Sequence, residues 1–168
     1  MKKLIMLTAF VLPVLISACG GNPKSTETTQ TETPAATTTE TPEATTSNTV
    51  VITANDQMKY DLTEIKVKAG EEVTLTLKNA GTMAKEAMGH NFVLLAQGTD
   101  VAAFATEAMA NKPSDYIPTG SKAILVHTKL LGPGESDTIT FTVPAGEYEF
   151  ICSFPGHYGM MRGKVIAE

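Results

Sequence analysis

Between Ile151 and Arg162 the sequence reads Cys152-Ser153-Phe154-Pro155-Gly156-His157-Tyr158-Gly159-Met160-Met161, which puts a thiol, an imidazole and two thioethers into one short stretch. Some way earlier, Met88-Gly89-His90-Asn91-Phe92 supplies a second imidazole at the entrance to an apolar run. Two imidazoles, one thiolate and a weak axial thioether form the ligand set of blue-copper electron-transfer sites. The logic is a compromise between oxidation states. Cu(I) is soft and accepts sulfur, whereas Cu(II) is served by imidazole and prefers a tetragonal arrangement. A site suited imperfectly to both lets the ion move little when its charge changes, which keeps the barrier to electron transfer low. Either Met160 or Met161 could supply the thioether on residue type alone.

Three side chains can converge on one ion only if the loop that carries them is held at both ends. The runs Gly146 to Ile151 and Gly163 to Ala167, on either side of that loop, read as strands. Thr49 to Thr53, Leu62 to Lys68, Glu72 to Lys78, Asn91 to Ala96, Lys122 to Thr128 and Asp137 to Val143 do the same, being rich in Val, Ile, Leu, Thr and Phe. Gly70, Gly132-Pro133-Gly134 and Ala145-Gly146 supply the turns between them. Eight short strands at this spacing predict an all-β, two-sheet sandwich rather than an α/β arrangement. One stretch breaks the rhythm. In Asp100 to Asn111 the apolar Val101, Phe104, Ala105 and Ala108 fall at helical spacing, so a short amphipathic helix is expected in a long connection ended by Pro113 and Pro118.

The first 48 residues do not read as fold. Met1-Lys2-Lys3, the apolar stretch Leu4 to Ile16 and Ser17-Ala18-Cys19 carry the marks of a secretory signal, with an apolar run too short for a membrane span. Ile16-Ser17-Ala18-Cys19 resembles a bacterial lipobox, which implies removal of residues 1–18 and a lipid on Cys19. From Gly20 to Asn48 the chain is mostly Thr, Glu, Pro, Ala and Ser, too poor in apolar groups to offset the entropy of ordering. Residues 19–48 are therefore expected to be a disordered tether, with a reach of about 30 Å as a coil. The folded domain is expected at 49–168. Cys19 and Cys152 are the two cysteines of the chain, so a lipidated Cys19 leaves Cys152 without a partner in an exported protein, and metal ligation explains it. The formal charge of −5 and the scattered Lys and Arg argue against a nucleic-acid partner.

The segments Gly89-His90-Asn91, His127-Thr128-Lys129-Leu130 with Gly134-Glu135, and Cys152 to His157 resemble those of azurins, and Asn55-Asp56-Gln57-Met58 is similar to their first strand and turn. The resemblance runs through nearly all of Thr49 to Glu168. It implies an eight-stranded Greek-key cupredoxin sandwich with its helix in a flap insertion, and one copper, cycling between Cu(I) and Cu(II), per monomeric chain. By the same resemblance His90, Cys152 and His157 are the equatorial ligands, Met161 rather than Met160 is axial, and the backbone carbonyl of Gly89 is a weak fifth ligand. It further implies that Asn91 bridges the two ligand loops, that the Phe154 amide donates to the Cys152 sulfur, and that Met58, Met88, Met109, Phe154 and His157 form an apolar docking patch for redox proteins such as cytochromes or membrane oxidoreductases.

There are departures. Asn48 and Glu71 stand where azurins usually carry a disulfide, the chain has no tryptophan and has Phe92 at the core position where many azurins carry one, and Asn79 replaces a histidine that responds to pH in some members. His127 falls outside the ligand pattern and is expected to be a surface or packing residue. The expected activity is one-electron transfer near a membrane surface, in the periplasm or at the cell surface, by a protein that is not an enzyme. Periplasmic copper binding and delivery is the alternative. A copper enzyme would need an open coordination position, and a structural zinc site prefers four strong ligands to a thioether.

Overall fold

The computed structural model describes residues 46–168. The signal segment, the lipobox with Cys19 and nearly all of the expected tether lie outside the described residues. Ser47 and Asn48, placed by the sequence before the first strand, are already bonded to the sheet: Ser47 N donates to Lys66 O at 3.0 Å, and Lys68 N donates to Asn48 Oδ1 at 2.8 Å.

All eight expected strands form, each within about two residues of its expected bounds. They are β1 (Thr49–Asn55), β3 (Glu64–Val67), β4 (Val73–Asn79), β5 (Val93–Leu95), β6 (Ile124–His127), β7 (Ser136–Phe141), β8 (Gly146–Ile151) and β9 (Arg162–Ala167). A ninth, β2 (Lys59–Tyr60), is too short to show an alternation and folds back on β1 after the turn at Met58, whose φ of +53° is unusual for a side-chain-bearing residue. Strand β5 starts two residues late because Asn91 spends its polar groups on side chains rather than on the ladder.

The strands form two sheets, ordered β2-β1-β4-β7 and β3-β9-β8-β5-β6, with β1 parallel to β4 and β3 parallel to β9. Alternation decides which side chains meet between them. Val50, Ile52 and Ala54 of β1 and Val73, Leu75 and Leu77 of β4 face inward, against Val165 and the stacked pair Phe92 and Phe150, whose ring centroids are 4.8 Å apart. Phe92 is fully buried, where tryptophan was expected in relatives, and truncating it would cost about 3–5 kcal/mol.

The expected helix is α2 (Val101–Met109), the second among the described residues after a single turn, α1 (Lys85–Met88), that four residues could not announce by periodicity. Asp100 caps α2, accepting from the backbone N–H of Ala102 and Ala103 at 3.0 Å each. Its buried Phe104 and Ala108 pack on Val93, Leu95 and Ile151, the outward residues of β5 and β8. The long connection is thereby pinned to the outside of the sheet, and its far end reaches the loop after β8.

Candidate metal centre

Three loops meet at one end of the sandwich. The β8–β9 loop leaves the sheet at Ile151 and returns at Arg162, which are paired. Within it Cys152 N donates to Met161 O at 2.9 Å, His157 N to Phe154 O at 3.0 Å and Met161 N to His157 O at 2.8 Å, so the backbone holds its own shape. His90 arrives on the segment after α1, fixed by a reciprocal pair with Leu131 at 3.1 and 2.8 Å. Gly89 beside it has no room for a side chain, since a Cβ would stand 2.7 Å from Lys85 O and 2.9 Å from Leu130 Cγ.

The result brings the candidate ligand atoms of His90, Cys152 and His157 within 4.8 Å of one another, all buried. Cys152 Sγ lies 3.5 Å from His157 Nδ1 and 4.0 Å from the Gly89 carbonyl. Neither nitrogen of the His90 ring makes a well-formed hydrogen bond, although both are sealed from solvent and the Asn55 carbonyl stands near the ring. A buried imidazole so weakly partnered is costly unless something else engages it. Burial also pushes His157 down to about 4, helped by the neighbouring His90, and lowers His90 against the opposing pull of the Asn55 carbonyl and Asp56. The Cys152 thiol is raised to about 11 by burial, opposed by the Asn91 and Phe154 N–H groups and the Tyr60 hydroxyl. Two neutral imidazoles with free lone pairs and a thiol that sheds its proton when a cation takes its place are the donor set of a soft transition metal. The residues fit copper.

Met161 is fully buried at the base of the loop, whereas its neighbour Met160 is 55% exposed. Asn91 does bridge the two ligand loops: its Oδ1 accepts from Ser153 N and its Nδ2 donates to Ser153 Oγ, both at 2.8 Å. Phe154 places its ring 4.6 Å from that of His157 and 5.1 Å from Tyr116 of the helical connection. Met109 is 46% exposed and Met58 and Met88 are half-buried, so none of the three is a sealed core residue. His127 is exposed on β6 and stands outside the His and Cys group. Asn79 is buried as an uncharged amide, accepting from Gly81 N at 2.8 Å and donating to Leu131 O at 3.2 Å.

Sequence reasoning missed two participants. Asp56 accepts from Thr82 N, Thr82 Oγ1 and Met83 N, which fixes the approach to α1 and His90. Tyr60 reaches the Asn91 carbonyl with its hydroxyl. As an aromatic beside a turn it gave no signal that set it apart from a core residue.

A Greek-key sandwich that gathers two histidines, a cysteine and a buried methionine at one end defines the cupredoxins, small one-copper carriers of single electrons. A sequence profile described as copper binding proteins of the plastocyanin/azurin family matches residues 46–168, and the chain belongs to that family. It is 47% identical over 118 residues to azurin-2 of Alcaligenes xylosoxydans xylosoxydans, covering 67% of this chain and 91% of the relative. It is 40% identical to outer membrane protein H.8 of Neisseria meningitidis serogroup B over 68% of this chain and 64% of that protein. Among solved structures, dithionite-reduced auracyanin from Roseiflexus castenholzii matches with a TM-score of 0.66 and 40% identity, over 74% of this chain and 99% of that one.

Proposed function

We propose that His90, Cys152 and His157 would hold one copper ion, with the Met161 thioether and the Gly89 carbonyl as weaker ligands, and that the chain passes single electrons between redox proteins. One observation carries the reading: three convergent ligand atoms within 4.8 Å in a sealed pocket, with no well-formed hydrogen bond to the His90 ring. Copper supplies the one-electron couple when bound. The protein's own part is to keep the donors still. Asn91 ties the His90 segment to the Cys152 loop, the Cys152–Met161 backbone bond closes that loop, and the sheet holds both ends. A framework that does not rearrange between oxidation states keeps the barrier low.

Docking and exit are assigned to a patch of Met58, Met88, Met109, Phe154 and His157, supported by the Phe154 ring beside His157 and by the partial exposure of the three methionines. Redox encounters favour a small apolar surface that releases quickly. Lipid on Cys19 would hold the protein at a bacterial membrane, in the periplasm or on the cell surface, and residues 19–48 would let the domain swing toward its partners. Support for this comes from the lipobox-like sequence and from the likeness to a protein named as an outer membrane protein.

The test is optical. Protein loaded with Cu(II) is expected to be intensely blue through thiolate-to-copper charge transfer and to bleach reversibly on one-electron reduction. A colourless complex, or colour that survives Cys152→Ser, would overturn the assignment. For the anchor, Cys19→Ala is expected to move the protein out of the membrane fraction, and retention there would count against lipidation.

A further inference from the structure

Asn91 is held at every polar group. Its side chain is engaged twice by Ser153, its backbone N–H is directed at the Cys152 sulfur, and its carbonyl accepts the hydroxyl of Tyr60. The first two holds come from the ligand loop itself. The third comes from the opposite sheet. Tyr60 is the second residue of β2, and its position is over-determined: Ala54 pairs with it, Asp61 N donates to Thr53 O at 3.0 Å, and Asp61 Oδ1 accepts from Thr53 N at 2.7 Å. Its ring meets Phe150 edge-on at 5.6 Å, buried in the core, and leaves the hydroxyl beside both Asn91 and Cys152.

We propose that Tyr60 is a positioning residue for the thiolate: by gripping the Asn91 carbonyl from the first hairpin it keeps the Asn91 N–H aimed at the Cys152 sulfur, and so sets the electron density that the sulfur offers to copper. The inference rests on the copper reading above. Hydrogen bonds to a ligating sulfur draw charge from it and are one of the means by which such sites tune their potential. Removing the Tyr60 oxygen leaves a buried carbonyl without its partner and frees Asn91 to drift. The sulfur then donates more strongly, which favours Cu(II).

The experiment is Tyr60→Phe, which keeps the ring and its packing, loaded with copper beside the parent and beside Val67→Ala, a destabilising change in the buried end of β3 next to Ala167, at the other end of the sheet from the Ile151–Arg162 pair. Tyr60→Phe is expected to bind one copper and remain blue, with a lower reduction potential and a charge-transfer band moved to lower energy, while Val67→Ala lowers the melting temperature and leaves potential and band at the parent values. If Tyr60→Phe only melts earlier and keeps the parental potential and band, Tyr60 is a packing residue and the proposal is overturned. A parent that is colourless with Cu(II) overturns the copper reading and this one with it.

Discussion

Asn91 and Ser153 bond to each other twice, Ser153 N to Asn91 Oδ1 and Asn91 Nδ2 to Ser153 Oγ, each at 2.8 Å, although they stand on different loops and are both buried. One residue precedes Ser153 and one precedes Asn91, and these are Cys152 and His90. The amide is thus a strap between two ligand-bearing segments. Asn91→Leu, similar in size, would leave Ser153 N–H and its hydroxyl unpaired in the interior, at about 1–3 kcal/mol each. The expected result in chemical denaturation is a loss of about 2–6 kcal/mol, with the charge-transfer band shifted as the Cys152 loop loosens. Full parental stability would show that the strap carries no strain of its own.

Met161→Leu is a swap between side chains of similar volume, so it should cost less than about 1.5 kcal/mol while replacing the thioether with an alkyl group. Blue colour is expected to persist and the reduction potential to rise, because losing a lone-pair donor costs the more highly charged Cu(II) more than Cu(I). Met160→Leu, at an exposed position, should leave the potential where it was. Voltammetry of the two variants side by side decides the axial assignment.

Asn48 stands where relatives are expected to carry a disulfide cysteine, and polar bonds connect the same strands here: Asn48 Nδ2 donates to Glu72 O at 3.2 Å and to Glu71 Oε2 at 3.4 Å, while its Oδ1 accepts from Lys68 N. Asn48→Ala should lower stability by about 1 kcal/mol. The pair Asn48→Cys with Glu71→Cys, oxidised, should raise it by about 2–4 kcal/mol. Thermal melts under oxidising and reducing conditions read both effects.

Asp56 gives a pH-dependent signature. The Thr82 N–H above all, then the Thr82 hydroxyl and Met83 N–H, hold its carboxyl below the ordinary range. A carboxyl depressed on folding adds stability above its unfolded value and loses it as pH falls through the folded one. Asp56→Asn should therefore melt earlier than the parent at neutral pH, with the gap closing below about pH 4. A gap that stays constant down to pH 3 would assign the difference to shape rather than charge.

The sequence was legible where chemistry and period are local. Cys152 to Met161 lie on one short loop, so residue types alone announced a soft-metal site, and the alternation in Glu72 to Lys78 announced a half-buried strand that forms within one residue of its expected bounds. The amphipathic stripe of Phe104, Ala105 and Ala108 likewise fixed α2, because helical spacing is written in consecutive residues. What depends on distant segments could not be read this way. Two-residue β2 exists only because β1 lies beside it, and α1 is a single turn held between Asp56 and Gly89. Residue type left the choice between Met160 and Met161 open; resemblance favoured one, and burial then separated them, since the loop turns one thioether into the core and the other to solvent. Tyr60 is the clearest case. Its hydroxyl has a partner thirty-one residues away on another segment, and nothing in the local pattern of an aromatic after a turn says that the oxygen will be buried against a carbonyl beside Cys152. Composition and spacing determined which donors this protein has; the packing of two sheets decided which of them meet, and what holds them in place.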